Sequence, residues 1–365
     1  MLIRCIAAAL ALSSSAIALP AFAHHPGGGG NTEGAGPMFT IPASTLDQGQ
    51  TAVGAMFEYV RLTTLSDRTL ANAAVTSNEG VHDLKTIEST SAVLGYGLTH
   101  DLTVSMRLPW IGRTGIREGS AIDPINPTAL DRGSTFGIGD ITLLGQYRFF
   151  NDKRTQREVA VLLGVTAPTG ITNRVDNQGQ LFDAEFQPGT GAWNGLFGLA
   201  VTRRFGSWSL DSNILYFLSS TGTQDTDLGD RFLYNVALSY RLRGATSWGK
   251  HEHGHMHLGA DFPEPMYHGG PKAGASHSHE EPATSPSAAL DLVLELNGEW
   301  HDKQVTAGVT DQNSGGTVVY LSPGLRLSYD KWSSYVSAGI PVVNELYGTQ
   351  PEPSWRIISG MSLAF

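Results

Sequence analysis

Leu102-Thr-Val-Ser-Met-Arg-Leu-Pro-Trp110 decides the fold. Its even positions are Leu102, Val104, Met106, Leu108 and Trp110; its odd positions are Thr103, Ser105, Arg107 and Pro109. A period of two sends successive side chains to opposite faces of an extended chain, so the segment is a strand with one apolar and one polar face. The pattern recurs. Phe232, Tyr234, Val236, Leu238, Tyr240 and Leu242 oppose Arg231, Leu233, Asn235, Ala237, Ser239, Arg241 and Arg243, and Leu290, Leu292, Leu294 and Leu296 oppose Asp291, Glu295 and Asn297. Roughly twelve such stretches run near 51–62, 89–98, 102–110, 136–149, 158–167, 192–205, 208–218, 231–243, 289–301, 317–328, 332–342 and 355–365, an even number as single-chain barrels require.

The connections alternate in length. Thr99-His100-Asp101, Gly206-Ser207 and Tyr329-Asp330-Lys331 are tight turns, whereas 63–88, 111–135, 168–191, 219–230, 302–316 and 343–354 are long and polar. Short periplasmic turns against long outer loops are the pattern of a membrane barrel. One connection departs from it: 244–288 falls where a short turn belongs. Aromatics gather near strand ends, among them Trp110, Phe149, Trp208, Tyr329, Trp332 and Trp355, as interfacial girdles do. The chain closes on Trp355-x-Ile357-x-Ser359-x-Met361-x-Leu363-x-Phe365, which resembles the terminal strand recognised by the outer-membrane barrel assembly machinery. The expected fold is all-β: a closed antiparallel transmembrane β-barrel of about twelve strands, carrying a long His-rich periplasmic insert.

Composition agrees. The 365 residues include 43 Gly, 18 Pro and one Cys, with 16% charged residues and a net charge of −10. No basic surplus suggests nucleic acid as a partner. One Cys excludes a disulfide scaffold, and beyond the N-terminus no apolar run is long enough for a membrane helix. Met1-Leu2-Ile3-Arg4, the apolar Cys5–Leu19, Pro20 and Ala21-Phe22-Ala23 read as a signal peptide cleaved after Ala23. The expected organisation is a signal peptide (1–23), a Gly/Pro-rich lead (24–50), and an outer-membrane barrel (51–365) interrupted by the insert (244–288).

Phe136-Gly-Ile-Gly-Asp-Ile-Thr-Leu-Leu-Gly-Gln-Tyr-Arg-Phe149 is similar to a G-x-G-D strand of the outer-membrane transporter family named for the MetA pathway of phenol degradation. Thr166-Ala-Pro-Thr-Gly170, Gln187-Pro-Gly-Thr-Gly191 and Leu294-Glu-Leu-Asn-Gly298 resemble further stretches of that family. The resemblance spans roughly residues 48 to 365 and implies an outer-membrane channel or transporter.

Two sets of residues stand out as candidate sites. With the apolar face toward lipid, Glu58, Arg107, Asp140, Arg148, Arg231, Arg241, Glu295, Arg326 and Arg356 point into a narrow lumen, together with Gln146, Arg204, Asp211, Arg243 and Glu299. Such charges either pair into ladders or set selectivity, the Arg surplus favouring anions or polar solutes. The second set is His-rich. The insert holds His251, His253, His255, His257, His268, His277 and His279, seven of the twelve His in the chain. Neutral imidazoles suit Cu, Zn and Ni, and without Cys the ligands would be His and carboxylate. Cleavage after Ala23 would leave His24 with a free amine beside its imidazole, followed by His25, a pair suited to Cu(II). The strand count places lead and insert alike on the periplasmic side.

No cofactor is required, and neither a G-x-S-x-G elbow nor an H-E-x-x-H helix supports an enzyme. The expected function is a channel for small solutes linked to Cu, Zn or Ni handling through the His-rich loop. The alternatives are a transporter of aromatic or hydrophobic compounds, and a non-conducting barrel that binds periplasmic metal or docks an efflux partner. Expected partners are the outer-membrane bilayer, the assembly machinery, small solutes and a periplasmic protein.

Overall fold

The computed structural model describes residues 35–76, 81–120, 128–244 and 288–365. Twelve long strands form the wall: β1 (Thr51–Thr63), β2 (Thr86–Thr99), β3 (Leu102–Ser120), β4 (Ile141–Asp152), β5 (Arg157–Ala167), β6 (Asn194–Phe205), β7 (Trp208–Leu218), β8 (Arg231–Arg243), β9 (Ala288–His301), β10 (Gly316–Tyr329), β11 (Trp332–Leu346) and β12 (Glu352–Ala364). Each pairs antiparallel with its sequence neighbours. The seam closes where β1 pairs with β12, from Ala52↔Ala364 to Thr63↔Glu352. Closure leaves no strand edge facing lipid, where an unpaired N–H or C=O would find no partner. Twelve strands about 4.8 Å apart and tilted about 40° imply a backbone radius of about 12 Å.

The side-chain pattern explains the wall. Val104, Met106, Leu108 and Trp110 are exposed on the outer surface, and Thr103, Ser105, Arg107 and Pro109 are buried inside. Leu292, Leu294 and Leu296 face out while Asp291, Glu295 and Asn297 face in. The apolar surface is thus a belt for lipid, and the buried polar surface lines the lumen.

Three departures from the sequence reading concern regions outside that belt. The long loop expected over 111–135 is partly wall: β3 runs on to Ser120 and pairs with Thr128–Ile138, which continues into β4 across Gly139-Asp140. Above the membrane an outward face need not be apolar, so the alternation fades while the pairing persists. The connection 63–88 contains a helix, Asp67–Thr76, that buries Leu70 and Ala71. Arg243 is exposed, because the β8–β9 register shifts between Arg241 and Arg243. The paired ends of β8 and β9 place both ends of the insert at the short-turn end of the barrel. The leader 1–23 and the body of the insert lie outside the described residues.

Candidate functional site: an occluded lumen

The lead does not stay on the periplasmic face as the strand count suggested. Its described part, from Ala35 onward, turns back at Thr51 and crosses the inside of the barrel, with Met38, Phe39, Ile41, Ala43 and Leu46 buried. The wall holds it by its backbone. Thr103 Oγ1 accepts from Leu46 N (2.8 Å), Thr202 Oγ1 from Ala43 N (2.9 Å) and Asn213 Oδ1 from Ile41 N (2.8 Å). Gln146 Nε2 donates to the carbonyls of Pro42 and Ser44, both at 2.9 Å. The Glu295 carboxylate takes Met38 N (2.8 Å), Phe39 N (3.0 Å) and Thr40 N (3.3 Å). An extended segment has no internal partners for its amides, so each one buried in the lumen needs a wall acceptor. Gly36 approaches so closely that a Cβ there would meet the Arg326 guanidinium.

Apart from Arg243, the charged residues expected in the lumen lie there, and most are bound into pairs. Arg241 Nε meets Asp291 at 2.5 Å, with Arg326 4.0 Å from the same carboxylate. Arg148 joins Asp101 (2.9 Å) and Glu158 (2.7 Å), and Arg204 shares Glu158 at 3.1 Å. Arg231 stands 3.9 Å from Glu299, and Arg107 Nε donates to Ser91 at 2.9 Å. Arg356 lies 3.7 Å from Glu58, donates to Asn297 (2.6 Å), and packs against the rings of Tyr320 (4.0 Å) and Phe39 (5.0 Å). Arg356 and Glu295 therefore grip the plug, while most of the others stiffen the wall.

Asp140 has a different task. Its carboxylate accepts Gly170 N (2.8 Å), Thr190 N (2.7 Å) and Thr190 Oγ1 (2.7 Å), pinning the loop 168–193 against the wall. Three of the four stretches singled out in the sequence meet at this one carboxylate: Asp140 of the G-x-G-D strand, Gly170 of Thr166–Gly170 and Thr190 of Gln187–Gly191. Gly170 and Gly189 touch backbone to backbone: a Cβ on either would lie 2.6 Å from the other's Cα. Only glycine permits that approach.

Beside the latch lies a cavity of about 80 Å³, lined by Pro109, Ile111, Asp140, Pro188, Phe217 and Leu218 among others. Below it the inner wall of β4–β8 carries an apolar patch between polar residues such as Gln146, Thr202, Asn213 and Asn235. Leu144, Leu162, Leu196, Leu215, Phe217 and Leu233 form one buried cluster that ends against Phe39 and Ile41 of the plug. The sequence reading missed both the plug and this strip. The available signal was Met38-Phe-Thr-Ile41, a short apolar stretch between two prolines in an otherwise Gly-rich lead.

The proposed metal ligands His24, His25, His251, His253, His255, His257, His268, His277 and His279 lie outside the described residues.

Residues 42–257 match the family model described as "Putative MetA-pathway of phenol degradation". An outer membrane channel from Pseudomonas putida F1 superposes with a TM-score of 0.51 at 15% identity, covering 88% of this chain and 98% of that one. The P. putida toluene transporter TodX gives a TM-score of 0.40 at 8% identity, over 87% and 90% of the two chains. The β-domain of the Bordetella autotransporter BrkA gives 0.42 at 11%, over 87% and 100%. No curated protein matches the chain.

Proposed function

As the chain belongs to the family described as the MetA pathway of phenol degradation, we propose that it is an outer-membrane channel for small aromatic or hydrophobic solutes. The observation that carries this reading is the apolar strip inside the barrel. A pore for ions or sugars is polar along its length. Here Leu162, Leu196, Leu215, Phe217 and Leu233 run from the cavity down to the plug, a surface on which a benzene-sized solute is desolvated step by step. The metal-linked variant favoured by the sequence alone has less support, since the strip suits an apolar cargo. Pairing of the lumen arginines with carboxylates likewise weakens the case for anion selection. The remaining elements of the proposal are signal-peptide removal after Ala23, folding by the barrel assembly machinery, and a transport role rather than an enzymatic one.

Uptake of radiolabelled toluene by Gram-negative cells displaying the chain tests this. Initial uptake is expected to rise several-fold over cells without it. Leu215→Glu, which puts a charge on the strip, is expected to abolish the increase. Equal gains for toluene and a hexose would overturn the aromatic reading.

The His-rich insert is a separate proposal, resting on its composition: a loose, exchangeable periplasmic site for Cu, Zn or Ni. Strands β8 and β9 pair up to Arg243 and Leu290, so the wall is complete without the insert. Deleting 250–280 is expected to remove most copper binding in isothermal titration while leaving heat-modifiable gel migration unchanged. An unaltered stoichiometry would make the insert a linker.

A further inference from the structure

A second cluster lies at the loop end, away from the insert, and shares Glu185 with the wall of the cavity beside the latch. His82, at the end of the first long connection, pairs across strands with Glu118 of β3. Its imidazole is buried, 2% exposed. Nε2 stands 3.5 Å from Asp183 and 3.8 Å from Glu118, and Nδ1 stands 3.8 Å from Glu185. Phe186 meets the ring edge-on at 5.1 Å, and Gln304 donates to Glu185 at 3.4 Å. Three outer segments and the top of β3 therefore converge on one imidazole.

We infer that His82, Asp183 and Glu185 form a binding site for a divalent first-row metal ion, zinc in particular, that ties the outer loops together. One nitrogen of His82 and one oxygen from each carboxylate lie within 4.8 Å of one another. Ligands 2.0–2.2 Å from a common ion stand about 3.3 Å apart when tetrahedral, so small side-chain movements complete the shell. The set is mixed nitrogen and oxygen, which suits zinc better than calcium, an ion that takes six to eight oxygens.

Charge points the same way. Glu118, Asp176, Asp183 and Glu185 face two guanidiniums, those of Arg132 and Arg113. With His82 neutral, as a ligand must be, two negative charges are left over, the charge of one divalent cation. An ion would displace any proton on the ligating nitrogen, since only the neutral imidazole has a lone pair to give. Asp183, 18% exposed, leaves a route from solvent.

Hydrogen–deuterium exchange of the full-length chain in detergent tests the site, with zinc sulfate as the only added metal and magnesium as the control. The readout is local, so zinc on the His-rich insert does not obscure it. At zinc concentrations of about 100 times the Kd, exchange in peptides containing His82 and Asp183 is expected to slow by about 100-fold. His82→Gln and Asp183→Asn are each expected to abolish that slowing while keeping heat-modifiable migration. Crystals soaked in zinc are expected to show an anomalous peak between His82 and Asp183. Unchanged exchange in the unmodified chain, equal slowing by magnesium, or slowing that survives in both variants would overturn the proposal.

Discussion

Replacing Glu295 with alanine is expected to turn a silent barrel into a conducting one. The Glu295 carboxylate holds three consecutive backbone N–H groups of the plug, at Met38, Phe39 and Thr40. Hydrogen bonds to a charged group contribute about 1.5–3 kcal/mol each, and their loss leaves buried amides without an acceptor. A net loss of about 3 kcal/mol shifts the docked–undocked equilibrium of the plug by roughly 100-fold. In planar bilayers the unmodified chain is expected to show rare openings, Glu295→Ala frequent ones, and deletion of 35–46 sustained steps. Heat-modifiable migration confirms that each variant is folded. Silence from the deletion variant would mean that the plug is not the barrier.

Removing the Asp140 carboxylate is expected to free the loop 168–193 without opening the wall. Asp140→Ala removes the acceptor for Gly170 N, Thr190 N and Thr190 Oγ1 together. Beside it the β4–β5 pairing, from Ile141↔Ala167 onward, is untouched. Exchange at the Gly170 and Thr190 amides should accelerate by about 100-fold, corresponding to about 3 kcal/mol of lost local stability. Because the loop supplies Gln187, Pro188 and Thr190 to the cavity, toluene uptake should fall with it. Fast exchange with undiminished uptake would place the solute path elsewhere.

Most of the wall was legible in the sequence, because lipid imposes a strict rule on it. A residue such as Leu294 must face out and Glu295 in, and a slip of one position would reverse every pair. The rule stops at the membrane surface. The upper part of β3, Ile111-Gly-Arg-Thr-Gly-Ile-Arg-Glu-Gly-Ser, has no apolar face and reads as a loop, although it pairs as a strand. The lumen was half legible. Arg241 and Asp291 could be placed inside by parity alone, but parity says nothing of which charge meets which. The plug was illegible for a different reason. Its amides are matched to acceptors on β3, β6, β7 and β9, and such long-range complementarity leaves no local pattern. Asp140 stood out as an inward charge and Gly170 and Thr190 lay in marked stretches, but that the three meet could not be read.

The separation along the chain between the plug and its anchors also sets an order of events in biogenesis. Ala43, Ile41 and Phe39 bind residues 159, 172 and 256 positions later. The lead leaves the export machinery first, yet its last acceptor, Glu295, arrives when the chain is four-fifths complete, and the seam shuts only with β12. Contacts so remote in sequence form late. The lead must therefore travel as an unpaired extended strand and be enclosed as the barrel shuts around it. A chain truncated before β12 should leave the lead open to protease even where the earlier hairpins have formed.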